Sequence, residues 1–174
     1  MNGLILRGGA VGVLGAVLLA GCGSPDSPRR EDGRIMMRDE ASADRMFEEM
    51  RWRNRILVVA ADRRDETVDR QLVAIATHSA GWSERDLVTI VLLPDRGYVA
   101  RDPSGGLAEA ETVSSDVAAS MRRRFGIDGD GFAAAIVGKD GGVKARYESV
   151  VAPEAVFPFI DAMPMRIDEM GQRP

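Results

Sequence analysis

The apolar positions change period along the chain, and each change marks an element. Residues 41–50 place Ala43, Met46, Phe47 and Met50 at helical spacing, which predicts a short amphipathic helix. Ile56 to Ala61 is an unbroken apolar run rich in β-branched side chains, the pattern of a strand buried on both faces. After the charged break Asp62 to Glu66, residues 67–80 put Val68, Leu72, Ile75, Ala76 and Ser79 on one helical face, with Gly81 as the expected stop. Leu87 to Leu93 is a second buried strand, stopped by Pro94. Asp95-Arg96-Gly97 and Pro103-Ser104-Gly105-Gly106 are turn signals framing a small hairpin around Tyr98 and Val99. Ser115 can cap a helix over 116–125, with Asp116 near its start, Arg122, Arg123 and Arg124 near its end, and Gly126 as its stop. Phe132 to Gly138 is a third strand. Lys139-Asp140-Gly141-Gly142 turns the chain into Val143, Lys144, Ala145, Arg146 and Tyr147, whose strict alternation predicts a half-exposed edge strand. Pro153 and Glu154 open a last helix carrying Val156, Ile160 and Met163 on one side; Pro158 should kink it and Pro164 end it.

The resulting string is β-α-β-α-β-β-α. Two crossover helices imply parallel strands, and the final hairpin adds an antiparallel one. One mixed sheet with helices on both faces makes the expected fold class α/β, a thioredoxin-like three-layer sandwich.

The N-terminus obeys different rules. Arg7 precedes an apolar stretch from Gly8 to Ala20. At roughly a dozen residues it is shorter than the about 20 needed to span a bilayer, and it fits a secretory signal. Leu19-Ala20-Gly21-Cys22 resembles the lipobox of bacterial lipoproteins. That resemblance implies a diacylglyceryl group on the Cys22 sulfur, cleavage before Cys22 and acylation of the new amine. One acyl chain holds only marginally, whereas two or three give a durable anchor. The alternative is an ordinary cleaved signal with Cys22 incidental. Gly23 and Ser24 lack the Asp that retains lipoproteins at an inner membrane, so in a host with two membranes the expected address is the outer one, facing the periplasm. Residues 23–40 are rich in Gly, Ser, Pro, Asp and Arg and read as a flexible tether. The expected organisation is a signal over 1–21, lipidated Cys and tether over 22–40, a folded domain over 41–170 and a tail over 171–174.

Composition narrows the function. A net charge of −4 gives no electrostatic case for general nucleic-acid binding. One cysteine excludes an intrachain disulfide and a Cys-rich metal site. Arg51, Arg53 and Arg55 alternate and in extended backbone would share one face, either a solvated edge or a contact with anionic headgroups. Trp52 and Trp82 flank element ends and are expected to be partly buried.

The tract from Arg51 to Met170 resembles a bacterial family of unknown function with a predicted thioredoxin-like fold, related to domains in vertebrate equarin-type matrix proteins. The stretches that carry the resemblance are Trp52-Arg53-Asn54-Arg55, Arg85-Asp86-Leu87-Val88, Arg124-Phe125-Gly126-Ile127, Gly138-Lys139-Asp140-Gly141-Gly142-Val143-Lys144 and Ile160-Asp161-Ala162-Met163-Pro164-Met165-Arg166. Pro158 departs from the family's pattern, where a helix former is expected. The resemblance implies a fold and no activity.

Redox members of the thioredoxin-like class carry catalytic cysteines where the first strand meets the next helix, where the helix N-terminus stabilises a thiolate. Here that junction reads Ala61-Asp62-Arg63-Arg64-Asp65-Glu66 and holds no thiol, so dithiol exchange and thiol peroxidase chemistry are excluded there. Asp62, Arg63, Arg64 and Asp65 are the candidate ligand-binding residues, for an anion at the helix N-terminus; the competing reading is a salt-bridged surface loop. His78, the single histidine, is expected on an exposed face without the partners a catalytic triad needs. Asp128-Gly129-Asp130-Gly131 lacks the ligands that calcium-loop spacing requires at Phe132 and Lys139, and reads as a turn. No catalytic residue, metal ligand or cofactor is assigned. The expected function is a lipid-anchored binding or scaffolding module with an envelope protein as partner; the alternative is a thiol-independent enzyme or small-ligand receptor at Asp62.

Overall fold

The computed structural model describes residues 29–127 and 129–172. The expected signal, Cys22, residues 23–28 of the expected tether, Asp128, and residues 173–174 of the expected tail lie outside the described residues. Helix α1 spans Arg29–Met50, so residues 29–40, expected as tether, are helical. After Pro28 the segment is dominated by Arg, Glu and Met, all good helix formers, with Gly33 as its single glycine.

From α1 the chain runs through β1 (Arg55–Ala60), α2 (Glu66–Thr77), α3 (Ser79–Glu84), β2 (Leu87–Leu92), β3 (Arg96–Ala100) and β4 (Glu111–Ser114). It continues through α4 (Ser115–Phe125), β5 (Ala133–Val137), β6 (Val143–Tyr147), α5 (Pro153–Asp161) and α6 (Pro164–Gly171). The strands form one six-stranded sheet in the order β4-β3-β2-β1-β5-β6. β1 and β2 are fully buried along their length. Their alternate residues serve two cores: Ile56, Val58, Val88 and Ile90 pack with Phe47, Met121 and Phe125, while Leu57, Val59, Leu87 and Val91 pack with Val68, Ile75, Trp82 and Ile160. This two-sided burial produces the three layers read from the sequence.

Five expectations are corrected. First, β1 is parallel to β2 but antiparallel to β5, with Ala60 opposite Ala133. Arg122 on α4 donates to the Ala61 carbonyl and Asp62 accepts from the Gly131 amide, so β5 enters the sheet at the end where β1 leaves it. Second, the helix expected over 67–80 divides at His78, and Gly81 lies inside α3 rather than closing a helix. A Cβ on Gly81 would meet the Phe157 ring at 2.7 Å, so the glycine serves close packing. Third, Pro164 opens α6 instead of ending the chain's last helix, as proline can at a first helical position. Fourth, Trp82 is completely buried against Phe157, with ring centroids 5.6 Å apart, whereas Trp52 is 59 % exposed. Trp52 follows the end of α1 in the left-handed region, φ 65°, which turns its ring outward. Fifth, the three alternating arginines share no face: Arg51 and Arg53 lie in a turn, while Arg55 heads β1 at 1 % exposure.

Candidate functional site

The junction after β1 is occupied by its own groups. Asp65 caps α2, its Oδ1 accepting from the amides of Thr67 and Val68 at 2.9 and 3.1 Å. Asp62 Oδ2 accepts from the Gly131 amide at 2.7 Å, and its other oxygen lies 4.0 Å from Arg122. Arg64 Nε donates to Asp69 at 2.7 Å. Arg63 is exposed. The four candidate residues are thus neighbours in space, but three of them face partners within the fold. None of them lines the cleft at Lys139, the cleft at Arg146 or the cleft between Asp44 and Arg123. His78 is half-exposed rather than free on the surface: its Nδ1 lies 3.0 Å from the Ala74 carbonyl and its ring packs edge-on to Phe157. Among the described residues, no group of three or more His, Cys, Asp or Glu side chains is placed to hold a metal ion, and no helix is long and apolar enough to cross a membrane.

Charge concentrates instead at the opposite end of β1. Arg55 grips Glu169 with both guanidinium nitrogens, Nη1 to Oε2 at 3.2 Å and Nη2 to Oε1 at 3.1 Å, and also donates to the Arg85 carbonyl. Lys139 Nζ lies 2.8 Å from both Asp86 Oδ2 and Glu169 Oε1. Arg166, fully buried, donates to Asp161, to Glu84 and to the Glu84 carbonyl. Arg85 pairs with Asp161 at 2.5 Å and stacks on the Phe157 ring, 4.3 Å from its centroid. Burial works against ionising Glu169, but the hydrogen bonds and charges of Lys139 and Arg55 outweigh it and hold the carboxyl below its ordinary value. Asp161 behaves alike: burial opposes its charge, and Arg85 and Arg166 more than compensate.

Sequence reasoning did not bring these residues together, because their partners are up to 114 positions apart. A signal was nonetheless available. Four of the five stretches that carry the family resemblance supply six residues of the cluster, Arg55 from the first, Arg85 and Asp86 from the second, Lys139 from the fourth, and Asp161 and Arg166 from the last, while Glu84 and Glu169 lie outside them.

A cleft of about 320 Å³ opens beside this cluster. It lies between the β5–β6 hairpin, through Gly138, Lys139, Asp140 and Lys144, and the α5–α6 corner, through Met163, Pro164 and Met165, with Arg55 also in its wall. Lys144 Nζ donates to Asp140 Oδ2 at 2.6 Å, and this bond holds the Asp140 carboxyl below its usual range. A second cleft, of about 350 Å³, lies along the start of β5 and the end of β6 and is lined by Asp130, Arg146 and Glu148 among others.

With this geometry in hand, the chain can be set beside known proteins. A family model described as "Domain of unknown function (DUF4174)" matches residues 46–169. "Coiled-coil domain-containing protein 80" of Danio rerio is 31 % identical over 139 residues, covering 75 % of this chain but 16 % of that protein. The chain therefore spans about a sixth of that relative's length. Among solved structures, "Crystal Structure of Plasmodium vivax 2-Cys Peroxiredoxin, Reduced" superposes with a TM-score of 0.50 over 72 % of this chain and 84 % of the other, at 13 % identity. At that identity the likeness shows a thioredoxin-like fold alone.

Proposed function

The chain belongs to the DUF4174 family, and from that premise we propose that it is a redox-inert thioredoxin-like module, held at a bacterial cell envelope by lipid on Cys22, which acts by binding or scaffolding another envelope protein. The observation that carries this reading is the position of the single cysteine. Cys22 precedes the folded domain, so the domain has no thiol, and the strand-to-helix junction where redox members of the fold place one is filled by the Asp65 cap and the Asp62–Gly131 bond. A domain that keeps the fold without its nucleophile retains the surfaces of the fold, and those support contact rather than electron transfer. The lipobox-like Leu19-Ala20-Gly21-Cys22 supports anchoring, with the outer membrane favoured in a host that has two. The reading of Asp62 to Asp65 as an enzyme or receptor site is the weaker one, since three of its four residues, Asp62, Arg64 and Asp65, are bonded within the fold.

Two experiments test the reading. Cys22→Ser should abolish incorporation of a fatty-acid probe and release the chain from membranes; persistent labelling refutes the anchor. Cross-linking in intact envelopes should then give one reproducible protein partner that is absent for an unrelated lipoprotein. Identical capture by both removes the scaffolding reading and leaves the anchor standing.

A further inference from the structure

We propose that the cleft between the β5–β6 hairpin and the α5–α6 corner is a binding site for a small organic anion with an apolar body, a carboxylate or phosphate monoester on an alkyl or aryl group, and that Lys139 is its centre. The inference is independent of membrane anchoring and of any protein partner.

Backbone strain points to Lys139. Trp52 and Asp86 are the two non-glycine residues with positive φ among the described residues, at 65° and 51°. Both hold Lys139: the Trp52 amide donates to its carbonyl at 2.7 Å, and the Asp86 carboxylate accepts from its Nζ at 2.8 Å. Conformations of this kind persist where the surroundings over-determine them, and they gather at ligand sites. Here the two strained residues hold one residue at two points, Trp52 at its backbone carbonyl and Asp86 at its ammonium.

The Lys139 side chain is 10 % exposed, and the residue belongs to the wall of the cleft. Two of its three ammonium protons face Asp86 and Glu169, which leaves one donor for a ligand. Lys144 stands on the same wall. Gly138 lets it lie close, because a Cβ there would meet Lys144 Cε and Asp140 Oδ1 at 2.7 Å. Opposite them Met163, Pro164 and Met165 form an apolar surface and begin α6, which has no side-chain cap and presents the positive end of its dipole. The surrounding ion pairs balance in charge, so a charged head would be drawn by directed donors and the helix end rather than by net charge. The thioether wall takes the body. The volume, apolar lining and few fixed polar groups match a small-molecule site.

Methionine methyl groups report the site directly. The full chain, labelled with ¹³C on its nine methionine methyls, is titrated with octanoate, octyl phosphate, octanol and inorganic phosphate. Met163→Leu and Met165→Leu assign the reporting signals, and Met50 and Met121, both in the core, report folding. Saturable shifts at Met163 and Met165 are expected with octanoate or octyl phosphate, at least tenfold tighter than with octanol or inorganic phosphate. The tighter of the two anions identifies the head group as carboxylate or phosphate. Lys139→Met and Lys144→Met should each weaken this binding tenfold or more while the Met50 and Met121 signals stay in place. If Lys139→Met moves those core signals, the half-exposed Lys144 decides the matter alone. No saturable shift, equal binding of octanol, equal binding of inorganic phosphate, or full affinity in Lys144→Met overturns the proposal.

Discussion

Arg55 and Glu169 face each other as a two-pronged pair, 3.1 and 3.2 Å across, joining the first residue of β1 to the last helix of the chain. The pair is unequal: Arg55 is 1 % exposed on its side chain and Glu169 25 %. Loss of the carboxylate therefore leaves a buried guanidinium that water reaches poorly, and Lys139 loses a partner at the same moment. Glu169→Gln should destabilise the domain by about 3–5 kcal/mol, the range for breaking a buried pair from one side. Replacing both ends, Arg55→Met with Glu169→Met, should cost much less than the sum of the single changes, because no charge is then stranded. Urea unfolding of the unmodified chain, Arg55→Met, Glu169→Met and the double variant gives the coupling. Additive losses would show that the two side chains act independently.

The same cluster sets a pH dependence. Glu169 and Asp161 both titrate below their ordinary values in the folded chain. The unfolded chain therefore takes up protons before the folded one does on acidification. The stabilisation is complete above the unfolded values and is lost as pH falls through the folded ones, so stability should fall from about pH 5 downward. Glu169→Gln should flatten that fall. Thermal midpoints measured between pH 7 and pH 3 test this, and an identical slope in the variant would remove Glu169 from the account.

Which of these features were legible in the sequence depends on the range over which they act. β1 and β2 were readable because an apolar run of six residues states its own burial. The division at His78 was not: the apolar face of α2 and the burial of Trp82 form one continuous pattern, and Gly81, the expected stop, lies inside α3 against Phe157, far along the chain. The direction of β5 was hidden for the same reason, since it depends on Asp62 holding Gly131 across 69 positions. The strand-end candidates Asp62 to Asp65 were readable as a cluster, but their partners were not, and the partners decide what the cluster does. Arg55 read as a surface charge because its neutralising carboxylate lies on α6, a helix the proline at 164 disguised as an ending.

Trp52 offers a test of strain. Its φ of 65° suits glycine, and L-residues in the left-handed region lose about 1–2 kcal/mol. Its ring is exposed and contributes a contact with the Arg51 guanidinium, 5.3 Å from the ring centroid, that is worth about 0.5–1 kcal/mol at such a site. Relief exceeds loss, so Trp52→Gly should leave stability unchanged or raise it by roughly 1 kcal/mol, while Trp52→Val, β-branched at the same φ, should lower it. The difference between the two variants in denaturant unfolding is the measurement. Equal stabilities would show that the backbone at this position relaxes.

Gly81 makes the sharpest prediction because two effects of opposite sign compete there. In an isolated helix Gly→Ala is favourable by about 1 kcal/mol. Here the added methyl would meet Phe157 Cε2 and Cζ at 2.7 Å. The ring has little room to yield: Trp82 packs edge-on at 5.6 Å, His78 at 6.4 Å, and the Arg85 guanidinium sits 4.3 Å from its centroid. Overpacking of this kind costs about 1–3 kcal/mol, so Gly81→Ala should lower stability on balance. Phe157→Ala removes the obstacle at a cost of its own. In that background the clash is gone and only propensity remains, so Gly81→Ala should then raise stability by up to about 1 kcal/mol. The change of sign between the two backgrounds is the expected result, read from denaturant midpoints. A gain in both would show that the ring moves aside freely, and with it that the α3–α5 contact is soft rather than close-packed.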